Sequence, residues 1–255
     1  MKVFVWNKKR ALSYLALMVC AVGMLALGSI ESTQVYQDGG EKLLPVYSVE
    51  REGEKLVSLT FDAAWDDSDT DQLIAILQKY NVPATFFMVG SWVEKYPESV
   101  KKFVASGHEI MNHSDTHPHI DGLSKEKISA EIKNCNDKIE NATGVRPSLF
   151  RGPYGEYNNT VMEEAAAQGM LTVQWDVDSL DWKNLSPDEI VERVTKRTKP
   201  GSIMLFHNGA KNTPEALPRV IEALQADGYQ FVKASELVYT ENYTIDNDGR
   251  QRKKS

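Results

Sequence analysis

Apolar and polar positions alternate in blocks along most of this chain. Leu56-Val57-Ser58-Leu59-Thr60-Phe61 is a short, nearly continuous apolar run and predicts a strand. Residues 69–80 place Leu73, Ile74 and Leu77 at helical spacing and predict a helix. The pattern continues with strands over 84–89, 108–111, 148–150, 171–175, 202–206 and 231–232. Between them lie helices over 92–105, 124–142, 158–168, 187–197 and 214–226. Apolar strands alternating with helices predict an α/β fold, a parallel sheet covered by helices. Periodicity does not decide whether that sheet closes into a barrel.

The two ends break the pattern. Lys2, Lys8, Lys9 and Arg10 precede an uncharged apolar run over 11–30, roughly the length of a membrane-spanning helix. The basic flank places the N-terminus in the cytoplasm, so 1–30 is expected to anchor an extracytoplasmic domain at the cell membrane. Cleavage after Ala26-Leu27-Gly28 would instead make it a signal peptide and the product secreted. Residues 31–54, with Gly39-Gly40, read as a linker, 55–240 as the folded domain, and 241–255 as a disordered polar tail.

Composition narrows the function. A net charge of -7 over 255 residues argues against nucleic acid as a partner. Cys20 lies in the apolar run, so Cys135 stands alone in the exported part and no intrachain disulfide forms there. Its place in the pattern Ile128, Ile132, Cys135, Ile139 predicts a small buried apolar residue, and a monomer is expected.

The chemistry gathers after the strands, where parallel α/β folds place their sites. Asp62 follows the first strand, and His113 and His117 follow the third. Two imidazoles four residues apart can hold one divalent cation, which suits hydrolysis. Arg151-Gly152-Pro153-Tyr154-Gly155, Asp178 to Trp182, and His207 follow later strands. His108 and His119 read as structural and loop residues.

These five segments resemble the NodB-type polysaccharide deacetylases, carbohydrate esterase family 4. That family carries Thr-Phe-Asp-Asp-Gly, His-Ser/Thr-x-x-x-His, Arg-x-Pro-Tyr-Gly, Asp-x-x-Asp-Trp and Leu-x-His in this order. The Asp-Ala-Ala-Trp form of the first motif resembles its membrane-anchored subgroup from spore-forming bacteria. The resemblance implies a distorted (β/α) barrel that removes N-acetyl groups from a cell-wall glycan of N-acetylglucosamine or N-acetylmuramic acid units. It implies Asp62 as general base paired with Arg151, and His207 as general acid held by Asp181. Tyr154 would supply an oxyanion donor, and Trp182 and Leu205 would wall the acetyl groove. His113 and His117 would ligate zinc, with cobalt or nickel also suited.

One departure matters. The family's third metal ligand is an aspartate where this chain has Ala63. Asp69 is the expected replacement among Asp66, Asp67 and Asp69, although it can equally cap the next helix. Ala63 also motivates an alternative, a catalytically impaired glycan-binding protein on the same fold. A third reading keeps a hydrolase but changes the bond to another amide or imide.

Overall fold

The computed structural model describes residues 42–51 and 53–254. The expected membrane segment lies outside them. Among the described residues no helix is long and apolar enough to cross a membrane.

Strands β2 (Leu56–Ala63), β3 (Thr85–Met88), β4 (Glu109–Asn112), β5 (Leu149–Phe150), β6 (Leu171–Thr172), β7 (Val177–Asp178) and β8 (Ile203–His207) form one sheet. Their order is β6-β5-β4-β3-β2-β8-β7, all neighbours parallel, and β9 (Gln230–Phe231) pairs with the start of β2. The result is a curled parallel seven-strand half-barrel covered by helices, which matches the distorted (β/α) barrel that the resemblance implies. The expected strand over 171–175 is cut short at β6. Its second half is shared with the segment before β1 (Ser48–Val49): Thr172 accepts from the Val46 N–H and the Gln174 N–H donates to Val46.

Period-two alternation sorts the strand residues. On β2, Val57, Leu59, Phe61 and Ala63 join the larger apolar cluster, where Phe61 stacks on Phe86 at 4.8 Å. The intervening Ser58, Thr60 and Asp62 take the other face. On β3, Phe86 belongs to the first cluster and Phe87 to a second, with Val46, Val49, Ala234 and Leu237. That alternation carries Asp62 to the inner mouth of the sheet.

The helices are α1 (Thr70–Lys79), α2 (Gly90–Lys95), α3 (Pro97–Ala105), α4 (Lys125–Thr143), α5 (Asn159–Ala167), α6 (Pro187–Arg197), α7 (Thr213–Ala226) and α8 (Ala234–Leu237). The single helix predicted over 92–105 is two, broken at Tyr96-Pro97, because proline clashes with the preceding turn and begins a new helix at its first position. A capping box of Ser186 and Glu189 starts α6.

The tail over 241–255 was expected to be disordered and 31–54 to be linker; the described parts of both that form strands are corrected. Here β10 (Tyr243–Ile245) and β11 (Arg250–Lys253) form an antiparallel ribbon, and β11 also pairs with β1. Charged residues carry no apolar period, so the sequence pattern hides this ribbon. Backbone pairing and the fully buried Gln251, bonded to both the N–H and carbonyl of Tyr239, hold it. The turn needs Gly249, with φ of 75° and Tyr47 Cδ2 only 2.3 Å from where a Cβ would stand.

Candidate active site

Parallel register sets Asp62 opposite His207 across β2 and β8. Asp62 is buried, with Oδ1 accepting from Arg151 Nη1 at 2.7 Å and Oδ2 3.5 Å from His113 Nε2. Burial alone would raise its carboxyl. The neighbouring His113, Arg151 and His207, with the Arg151 hydrogen bond, outweigh burial and hold it below the usual carboxylate range.

Arg151 is fully buried. Its remaining donors reach the carbonyls of Gln174 at 3.1 Å and Val173 at 3.4 Å, and its guanidinium lies 4.0 Å over the Phe87 ring. A buried guanidinium with this many partners serves to fix one carboxylate.

His113 Nδ1 lies 2.8 Å from the Arg151 carbonyl, which can only accept. The proton therefore sits on Nδ1, and the Nε2 lone pair is left on the side of Asp62. The His117 ring meets it edge-on at 5.0 Å. Burial holds His113 below its ordinary pKa and pulls His117 down to about 4, so both rings are neutral near pH 7. Neutral imidazoles are the form that binds metal.

The implied cofactor is a divalent cation. The oriented lone pair of His113 beside a second neutral imidazole is a pair of donors that suits one. The fit stops at two imidazoles. Ala63 is fully buried in the helix-facing apolar cluster, and among the described residues no three His, Cys, Asp or Glu side chains are grouped to hold a metal ion.

Asp69, the expected third ligand, is a correction. Its Oδ2 accepts from the Gly209 N–H at 2.7 Å, and its charged neighbours are Asp66 and Asp181 rather than the histidines. It occupies the N-cap position of α1 but makes no side-chain cap bond. Through the Gly209 bond, Oδ2 ties the loop after β2 to the loop after β8, while Oδ1 is buried without a hydrogen-bond partner. Burial raises the carboxyl to about 6. A raised carboxylate favours the folded state below its unfolded pKa, and that contribution is lost as pH rises through 6. Asp69→Asn is therefore expected to flatten the fall in urea-measured stability between pH 4 and 7, by up to about 3 kcal/mol. An unchanged slope would contradict this.

On the other flank, His207 Nδ1 bonds Asp181 Oδ1 at 2.8 Å, and Asp181 Oδ2 accepts from the His207 N–H at 2.8 Å and Thr213 Oγ1 at 2.7 Å. Burial lowers His207, but the Asp181 hydrogen bond and charge, with Asp62 and Asp178, leave it above its ordinary value. Trp182 is 46% exposed, which excludes a core role, and Leu205 is buried on β8.

Tyr154 has φ of 59°, and its exposed ring lies edge-on to His117 at 4.6 Å and stacked on His119 at 4.4 Å. His119, read as a plain loop residue, also bonds Glu156 at 2.6 Å. Ser114, His117 and Leu180 share the left-handed backbone of Tyr154, so strain gathers in the loops around this site.

The sequence reading missed Trp65. Its indole lies flat on the His207 ring, 5.4 Å between centroids and 15° between planes, and is half exposed. A large apolar residue in a polar loop was the available signal.

Residues 50–173 match the family described as Polysaccharide deacetylase. A peptidoglycan-N-acetylglucosamine deacetylase of Bacillus cereus is 37% identical over 190 residues, covering 72% of this chain and 89% of that protein. The peptidoglycan-N-acetylmuramic acid deacetylase PdaC of Bacillus subtilis is 36% identical over 184 residues, covering 72% of this chain and 39% of PdaC. The uncharacterised Bacillus subtilis protein YlxY is 34% identical over 72% of this chain. The chain spans 57% of YlxY. A solved CE4 family pseudoenzyme from Bacillus anthracis superposes with a TM-score of 0.74 at 33% identity, covering 82% of this chain and 72% of that one. A mutant pseudoenzyme of this family with restored activity gives 0.74 at 36% identity, covering 77% and 72%. Sequence match, shared architecture and a carboxylate and an imidazole on adjacent strand ends agree: the chain belongs to the polysaccharide deacetylase family.

Proposed function

We propose that this protein hydrolyses the N-acetyl amide of amino sugars in peptidoglycan, releasing acetate and a free amine. The observation that carries this reading is the pairing of Asp62 with His207 on adjacent strands, the carboxyl pushed down and the imidazole pushed up from their ordinary pKa values. Two titratable groups pushed in opposite directions across one cleft are an acid and a base assignment.

Asp62 takes a proton from the attacking water, and Arg151 keeps it ionised and aimed. The water oxygen bonds to the carbonyl carbon. The Tyr154 N–H donates to the oxyanion that develops, a contribution of about 3 kcal/mol for such a donor. The C–N bond then breaks, and the His207 Nε2 proton passes to the departing nitrogen while Asp181 holds the opposite ring nitrogen. Trp182 and Leu205 wall the acetyl methyl. His113 and His117 would hold zinc, cobalt or nickel, which when bound supplies Lewis acidity toward the amide carbonyl and acidifies water. The apolar segment over 11–30 would tether the domain at the membrane, facing the wall.

Ala63 favours a second reading, a glycan-binding protein without turnover, and a similar solved structure is described as a pseudoenzyme. Muropeptide fragments incubated with the full chain separate the two. Acetate and free amine appearing in equal amounts support hydrolysis. Fragment binding with no acetate supports the second reading and contradicts the first.

A further inference from the structure

Trp65 has no place in the buried apolar clusters, and half of it is exposed. A half-exposed indole forgoes much of the stabilisation that burial would supply. Its loop is nonetheless tied down at several points. Asp66 Oδ1 accepts from the Ser68 N–H at 2.9 Å, and the Asp66 carbonyl accepts from Trp92 Nε1 at 3.3 Å and from Asn208 Nδ2. Asp67 Oδ2 accepts from Ser99 Oγ at 2.7 Å, and Asp69 Oδ2 from the Gly209 N–H at 2.7 Å. Two of these ties, through Asn208 and Gly209, run to the residues directly after His207. Gly209 has φ of 73° and passes beneath the indole, where a Cβ would stand 3.6 Å from Trp65 Cβ and Cε3.

The ties have one common consequence: they fix the indole plane against the imidazole plane at 15°. Asp181 holds the His207 backbone N–H and, on the ring, only Nδ1, so one bond to the imidazole leaves it able to tilt about that point. A flat aromatic surface against the ring face removes the tilt and aims Nε2 into the cleft. It also keeps water off that face.

We propose that Trp65 is a positioning residue for His207, an aromatic splint that the loop after β2 presents to the imidazole. The strand end that lacks a carboxylate at position 63 is thus followed by a loop that still serves the site. This rests on the reading of His207 as general acid.

The test compares the full-length chain with Trp65→Ala, Trp65→Phe and His207→Ala. Acetate release is measured alongside 13C relaxation of the His207 ring C–H groups. Trp65→Ala is expected to lower kcat about tenfold to a hundredfold. KM should stay within about twofold, and the His207 ring should lose order. Trp65→Phe, which keeps a flat ring, is expected to restore both kcat and ring order. The proposal is overturned if His207 stays equally ordered in Trp65→Ala, if KM rises while kcat holds, or if Trp65→Phe fails as badly as alanine. Wild-type turnover by His207→Ala would instead overturn the acid assignment, and the relaxation measurement judges the splint whether or not turnover is seen.

Discussion

Replacing Asp62 by asparagine is expected to abolish measurable acetate release, with kcat down about 100- to 10,000-fold. Asparagine keeps an oxygen facing Arg151 but accepts no proton from water. The same change has a second effect, because Arg151 is fully buried and Asp62 is its ion-pair partner at 2.7 Å. Removing one member of such a pair leaves an uncompensated buried charge and costs about 3–5 kcal/mol. Asp62→Asn and Arg151→Met should each lower urea-measured stability by that amount. Their double variant should be less destabilised than the sum, since neither charge is then stranded. Asp62 also fixes the pH behaviour of folding. Its folded pKa lies below the ordinary value, so its contribution is present above that value and is lost as pH falls through the depressed one. Wild-type kcat in Asp62→Asn would remove the base from the account.

His207→Gln is expected to lower kcat about 100- to 10,000-fold, with little change in KM, since the proton it gives is needed only as the C–N bond breaks. The more diagnostic variant is Asp181→Asn. His207 stands above its ordinary pKa because the Asp181 bond and charge overcome burial. Activity should therefore fall only as pH rises through that raised value, where His207 loses its proton. With asparagine the burial remains and the charge is gone, so the alkaline limb of the kcat profile moves to lower pH. A limb that stays in place would show that another group donates the proton.

How much of this was legible before folding depends on what a residue is near in the chain. Strand ends are marked by where an apolar run stops, so Asp62, His113, Arg151, Asp181 and His207 could all be assigned to one end of the sheet. The partnerships Asp62–Arg151 and His207–Asp181 were implied by the family resemblance, and the hydrogen bonds agree. Trp65 was invisible as a partner because stacking has no period, and His207 lies on a distant strand. Asp69 was misread because a carboxylate in a loop next to Ala63 invites a metal, whereas the fold gives it the Gly209 N–H. The terminal ribbon was missed because Arg250–Lys253 is held by backbone pairing on both sides, to β1 and β10, and by Gln251, not by apolar burial. The break at Pro97 was in the sequence, and helical periodicity across it simply outweighed the proline.

The central claim is that two imidazoles suffice to place a cation beside Asp62 and His207. It is tested most directly by stripping the full-length protein with chelator, measuring acetate release from N-acetylated peptidoglycan fragments, and repeating after adding zinc, cobalt or nickel, with His117→Ala in parallel. The account predicts loss of release on stripping, recovery on adding at least one of these cations, and no recovery in His117→Ala. Undiminished release from the stripped protein, or equal recovery in His117→Ala, would contradict it.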